Sequence, residues 1–228
     1  MTQADADKHS FTVPTVIKPL LRGWLHLGTV PIALVGGIVL VILAKGPIAK
    51  WGAAVYFATS LLLFGVSALY HRVNWSPKNY AMMRRFDHAN IFLLIAGTYT
   101  PLALGTLPLD KAKVLLIAVW SGAIVGVLFR MFWLNAPRWI YVPLYIALGW
   151  AAVFYLKDIA EGSFAAMILV VIGGLLYTLG AIVYAFKWPN PSPKNFGFHE
   201  IFHSFTVLAF FCHWAAALLS VLSPVYLR

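Results

Sequence analysis

Seven apolar runs, each long enough to cross a bilayer as a helix, occupy most of this chain. A membrane-spanning helix needs about 20 mainly apolar residues. The runs are approximately Trp24–Ala44, Trp51–Tyr70, Ala89–Thr106, Val114–Phe129, Trp139–Leu156, Phe164–Phe186 and His199–Leu222. In lipid, every backbone N–H and C=O must be satisfied internally, and a helix does this within one segment. The expected fold is therefore all-α: an integral membrane bundle of seven transmembrane helices over residues 24–228, preceded by a short cytoplasmic or interfacial tail, residues 1–23. Breakers separate the runs. Gly46-Pro47, Pro108 with Asp110, Asn135-Ala136-Pro137, and Pro189, Pro191 and Pro193 all fall between them, where a helix is least able to continue. The composition agrees: 61% of the 228 residues are hydrophobic and 11% charged, against about 25% charged in a soluble domain.

The charges that remain set an expected topology. The formal net charge is +10, but the basic residues lie between apolar runs and not in one patch. That pattern reads as orientation and contact with anionic headgroups, not as nucleic-acid binding. With the N-terminus on one side, that side collects Lys8, Lys18, Arg22, Arg72, Lys78, Arg84, Arg85, Arg130, Arg138, Lys187 and Lys194. The opposite side collects only Lys45, Lys50, Lys111, Lys113, Lys157 and Arg228. The positive-inside rule then puts the N-terminus inside and the C-terminus outside. The first residues, with Asp5, Asp7, Lys8 and His9, do not read as a secretory signal. Cys212 is the only cysteine, which excludes an internal disulfide and a thiolate-rich zinc site.

This topology brings chemistry to one end. The second run ends at His71, the third begins beside Asp87, and the last opens with His199-Glu200-Ile201-Phe202-His203. All lie at the expected cytoplasmic end, although only Lys and Arg were used to orient the chain. Residues four apart share a helix face, so His199 and His203 can grip one ion. Ionisable groups near lipid are functional candidates by default. Three imidazoles with one open position form the catalytic zinc pattern, and zinc held this way makes hydroxide available near neutrality. Asp87 then either serves as general base or closes the site as a fourth ligand. Ser67, one turn before His71, can orient water, a substrate carbonyl or the His71 ring.

Competing readings are weaker. The H-E-x-x-H string matches the zincin protease signature, but here it opens a membrane span, and Glu200 reads better as a helix-entrance residue near the positive end of the dipole. His26 and His213 are expected to be interfacial or hydrogen-bonded packing residues, and His88 is either a helix-entrance residue or a supporting neighbour of the site. A retinal Schiff base needs a lysine in a span, and the last span has none. Haem ligation wants histidines from opposite sides of the iron. A conducting pore wants polarity along its length, and polarity here is concentrated at one end. Gly122, Gly126, Gly173, Gly174 and Gly180 suit close helix contacts inside the bundle. Trp24, Trp51, Trp139 and Trp188, near span ends, fit an aromatic belt.

Taken together, Ser67-x-x-x-His71, Asp87-His88 after a short basic loop, and His199-Glu200-x-x-His203 resemble the hemolysin III family. This is the bacterial branch of the progestin and adipoQ receptor family, in a superfamily that includes alkaline ceramidases. The resemblance covers all seven spans. It implies a seven-helix bundle with an inside N-terminus in the bacterial cytoplasmic membrane. It also implies a Zn2+ ion near the cytoplasmic face, held by His71, His199 and His203, with Asp87 and Ser67 around it. By analogy the activity is hydrolysis of a membrane lipid amide, linked to membrane homeostasis. A non-enzymatic membrane sensor with structural zinc, and a pore-forming hemolysin, are the alternatives.

Overall fold

The computed structural model describes residues 19–227. The expectations for the tail before Pro19, including His9, lie outside the described residues. Eight α-helices follow in order: α1 (Trp24–Leu43), α2 (Gly46–Arg72), α3 (Pro77–Thr106), α4 (Leu109–Phe132), α5 (Arg138–Gly149), α6 (Leu156–Gly162), α7 (Phe164–Phe186) and α8 (Phe198–Leu222). A short 3-10 stretch, Ala151–Tyr155, joins α5 to α6, and the three together form one span, Arg138–Gly162. The described residues thus hold seven helical spans long and apolar enough to cross a membrane. Among them there is no strand, only an isolated bridge between Ser192 and Phe196.

The bundle is apolar outside and comparatively polar within, the arrangement a bilayer favours. Ile42, Trp51, Ile117, Phe132 and Phe186 are all exposed, and the belt tryptophans Trp24, Trp51, Trp139 and Trp188 are exposed too. Such a surface is far too apolar for water and suits lipid tails. The least apolar span, α3, is the most enclosed: 78% of its most hydrophobic stretch is buried, against 17% for the α5–α6 span. It packs against α2, α4 and α8, while α1 closes over α2 and α8, and α7 lies along α8.

The apolar runs located the spans but not the true start of α3. Hydropathy places it at Ala89, whereas the helix begins at Pro77 behind an N-cap Ser76. The polar stretch with Lys78, Arg84 and Arg85 is itself helical, because Pro at the first positions and good helix formers extend the helix past the apolar run. Asp87 consequently sits about three turns inside α3. The glycines expected at helix contacts are used inside the bundle. A Cβ at Gly126 would lie 2.4 Å from the Phe92 ring, and one at Gly180 would lie 2.9 Å from the Phe205 side chain.

The break between α5 and α6 frees backbone groups that have no water to meet. Tyr99 of α3 takes up two of them: its hydroxyl donates to the Gly149 carbonyl at 2.6 Å and accepts from the Ala152 N–H at 2.8 Å. Tyr99→Phe leaves both unpaired, and each orphan costs about 1–3 kcal/mol. The variant is expected to unfold with a loss of about 2–4 kcal/mol in detergent denaturation. Unchanged stability would show that the break needs no side-chain bridge.

Candidate metal centre

Two helices bring three imidazoles to one point. His71 stands in the last turn of α2. His199 and His203 occupy one face of the first two turns of α8. One ring nitrogen from each lies within 4.8 Å of the other two. The Nε2 atoms of His71 and His199 face each other at 3.2 Å. Two imidazole nitrogens bound tetrahedrally to zinc, each at 2.0–2.1 Å, would stand roughly 3.3–3.4 Å apart. His71 and His203 are buried and His199 is partly so. The three residues fit a metal ion, and among the described residues no other group of three has this spacing.

Asp87 and Ser67 complete the surroundings. Asp87 is not one of the clustered three, but both it and Ser67 are buried, and the Ser67 hydroxyl lies beside the Asp87 carboxyl. They share with His199 and His203 the wall of a cavity that runs between α3, α5, α7 and α8. Its lining is mainly apolar, with Ile91, Leu94, Ile146 and Val170 among many, and Asp87 is the single acid among the described residues that line it. The acid and the cluster histidines that line it are thus gathered at one end of a mainly apolar cavity.

Glu200 is committed elsewhere. It is buried, its Oε2 accepts from the Gly197 N–H at 2.8 Å, and its Oε1 pairs with the Arg22 guanidinium. The carboxylate caps the Gly197 N–H at the start of α8. This is the helix-entrance role expected from the dipole, and it leaves H-E-x-x-H as ligand spacing without the protease's free base. The segment carrying Arg22 is tied down further. The Leu20 and Leu21 N–H groups donate to Lys194 and Asn195 carbonyls at 2.9 and 3.2 Å, and Arg72 stacks over the Trp24 ring at 4.4 Å.

Two histidines contribute more than sequence reasoning gave them. His26 was expected to be a packing residue. Its ring lies parallel to that of His203 with centroids 3.7 Å apart, meets Phe64 edge-on, and lines the cavity. The signal was available, since α1 begins at the same end of the bundle as the other histidines. His88 is buried in the cavity wall, where Nδ1 faces the Arg130 guanidinium and the ring stacks on Tyr141. An Arg N–H can only donate, so Nδ1 accepts and the neutral ring keeps its hydrogen on Nε2. Arg130 also stacks over Tyr141 at 4.4 Å and donates to the carbonyls of Trp133 and Leu134 beyond the end of α4. No spacing in the sequence pairs residues 88 and 130, because only tertiary packing brings α3 and α4 together there. His213 is hydrogen-bonded, as expected of a packing residue, with Nε2 at 3.3 Å from the Val170 carbonyl.

A seven-span membrane bundle with a buried three-histidine cluster, opening on an apolar cavity, is the class that fold and site define. The chain belongs to the haemolysin-III related family, whose profile matches residues 15–214. It is 34% identical over 163 residues to a hemolysin-3 homolog of Bacillus subtilis (strain 168), covering 69% of this chain and 73% of that one. It is 35% identical to a hemolysin-3 of Bacillus cereus over 163 residues, 69% of this chain and 71% of that protein. A progestin and adipoQ receptor-like protein 1 of Caenorhabditis elegans is 28% identical over 180 residues, 70% of this chain but 41% of that longer one.

The Arg22–Glu200 pair gives a direct test of how the α8 entrance is held. Removing one partner of a buried pair strands the other charge, at a cost of up to about 3–5 kcal/mol, less where a partner is partly exposed. Arg22→Met is expected to lower stability by about 2 kcal/mol or more in detergent unfolding. Glu200→Gln, which keeps the cap's shape, is expected to retain metal binding by elemental analysis. Metal loss in Glu200→Gln would put Glu200 back among the site residues.

Proposed function

We propose that this protein is a zinc-dependent hydrolase that cleaves an amide bond of a membrane lipid and serves membrane homeostasis. The observation that carries the reading is one juxtaposition: a cluster of three imidazoles, of which His199 and His203 line one end of an apolar cavity together with a buried carboxylate. Three nitrogen ligands with no thiolate suit zinc among the available metals. When bound by His71, His199 and His203, zinc would supply Lewis-acid polarisation and lower the pKa of water toward neutrality. The remaining steps belong to the chain. Asp87 takes the proton of the attacking water and delivers it to the departing amine nitrogen, so that amide and water become acid and amine. Ser67, beside Asp87, orients that carboxyl. The apolar cavity holds the acyl chain and keeps bulk water from the reacting bond.

The charge asymmetry supports placing this end of the bundle in the cytoplasm, with the N-terminus inside and the C-terminus outside. The bacillary relatives support a bacterial cytoplasmic membrane. Concentration of polar groups at one end favours a lipid cavity over the continuous aqueous path that a lytic pore requires.

Asp87→Asn separates the enzymatic reading from a structural metal. General-base assistance is worth about 10²–10⁴ in rate, whereas a supporting hydrogen bond is worth about 10–100-fold in metal affinity. The variant is expected to keep zinc at saturating metal and to lose release of labelled acid from a fluorescent N-acyl sphingoid amide. Full activity would remove Asp87 from the base role. Outright loss of zinc would make Asp87 a ligand and favour a non-enzymatic membrane regulator. His199→Ala with His203→Ala is expected to abolish zinc by elemental analysis, and stoichiometric zinc there would overturn the ligand set.

Orientation is tested separately in a Cys212→Ser background. Asn79→Cys is expected to resist an impermeant thiol reagent in intact cells, and Asp110→Cys to react. Reversed labelling would invert the topology and move the site to the outer face.

A further inference from the structure

We infer that the chain entering α1, from Pro19 to His26, is the positioning element of the metal centre and is reciprocally coupled to it. The segment sets how tightly zinc is held, and bound zinc holds the segment down. The inference rests on the reading of the three histidines as a zinc site, and not on hydrolysis.

Three residues of this segment each meet a different part of the cluster. The Arg22 guanidinium pairs with Glu200, the residue that follows His199 on α8. Gly23 seats on α2: a Cβ placed there would lie 2.6 Å from the His71 Cβ and 3.3 Å from the Arg72 side chain. His26 lies flat on His203, with ring centroids 3.7 Å apart. None of the three belongs to the clustered ligands. One ligand stands on α2 and two on α8, and α1 packs on both helices. Two residues joined by a single peptide bond therefore span the metal-bearing helices, Arg22 gripping α8 and Gly23 resting on α2.

Gly23 is the closest of these contacts. It is buried, and its backbone is left-handed, with φ +81°. A side chain there meets two obstacles. Residues with a Cβ seldom adopt that conformation, and the Cβ would collide with His71 itself. Either the start of α1 lifts away or the ligand shifts. His26 acts differently. Its ring nitrogens have no hydrogen-bond partner among the described residues, so what it offers His203 is a flat face.

Elsewhere the segment is lightly held. Leu20 and Leu21 are exposed, and their N–H groups donate to the Lys194 and Asn195 carbonyls at 2.9 and 3.2 Å. A stretch with few buried apolar contacts opens at low free energy. Opening here withdraws Arg22 from α8 and Gly23 from α2 together, and the spacing between His71 and His199 relaxes. Coupling between two binding equilibria is reciprocal: if opening weakens zinc by some factor, zinc opposes opening by the same factor.

The test uses full-length protein in phosphatidylcholine nanodiscs. Zinc affinity is read by competition with a chelating dye, and opening by amide hydrogen exchange at Leu20 and Leu21. Losing a group that orients a ligand costs about 10–100-fold in metal affinity, and Gly23→Ala is expected to weaken zinc by that much. Gly28→Ala makes the same change on the same helix, where a Cβ meets open space, and is expected to keep the parent's affinity. His26→Ala is expected to weaken zinc about tenfold, and His26→Phe, which restores a flat face, to recover most of it. This pair carries the test independently of how well Gly23→Ala folds. In the parent, exchange at Leu20 and Leu21 is expected to slow about tenfold or more when zinc binds. Parent affinity in both Gly23→Ala and His26→Ala, or an equal loss in Gly28→Ala, would overturn the positioning role. Exchange indifferent to zinc would overturn the coupling. Failure of the parent to bind zinc would overturn the metal reading itself, and this inference with it.

Discussion

The convergence of three imidazoles in an apolar interior is what the rest of the bundle is organised around. Polar side chains buried near lipid are costly unless they are paired with one another, with backbone, or with an ion. His71, His199 and His203 come from helices distant in sequence, yet their nitrogens sit within 4.8 Å, a spacing one ion can bridge. Helix α8 provides two of the three from one face. Its start is fixed by the Glu200 carboxylate, which accepts from the Gly197 N–H and pairs with Arg22, so the anchoring of the N-terminal segment and the aim of the site histidines are one mechanical problem. His26, stacked on His203, fixes that ring from the α1 side.

The surrounding polar groups follow the same rule. Tyr99 takes up two backbone groups at the break in the fifth span. Arg130, buried and with no carboxylate partner among the described residues, is spread over His88, two carbonyls and the face of Tyr141. These devices cluster around α3, the least apolar span and the one most enclosed by its neighbours. Asp87 rides on that helix, so the proposed base stands on the most enclosed of the spans. A carboxylate with this task benefits from being held in place before substrate arrives.

Much of this was legible in the sequence, for identifiable reasons. Length and hydropathy gave seven spans, because a bilayer imposes one length scale on every helix. The i, i+4 spacing of His199 and His203 gave a shared face, and counting Lys and Arg put His71 and Asp87 at the same end as that pair. What stayed hidden depended on tertiary approach. Hydropathy cannot see that α3 continues helically to Pro77, because it registers transfer to lipid and not helix ends. It cannot see that the fifth span is broken, because Trp150 and its neighbours are as apolar as an unbroken helix would be. The stacking of His26 on His203, the contact of His88 with Arg130, and the seating of Gly23 against His71 all join residues far apart in sequence. No periodicity records them.

The metal's coordination is the most direct test of the central proposal. X-ray absorption at the zinc edge, on protein purified without added chelator, reads ligand type and number together. Three imidazole nitrogens at about 2.0–2.1 Å with one further oxygen and no sulfur is the predicted shell. A sulfur at about 2.3 Å, a fourth imidazole closing the site, or the absence of zinc from active protein would each contradict it.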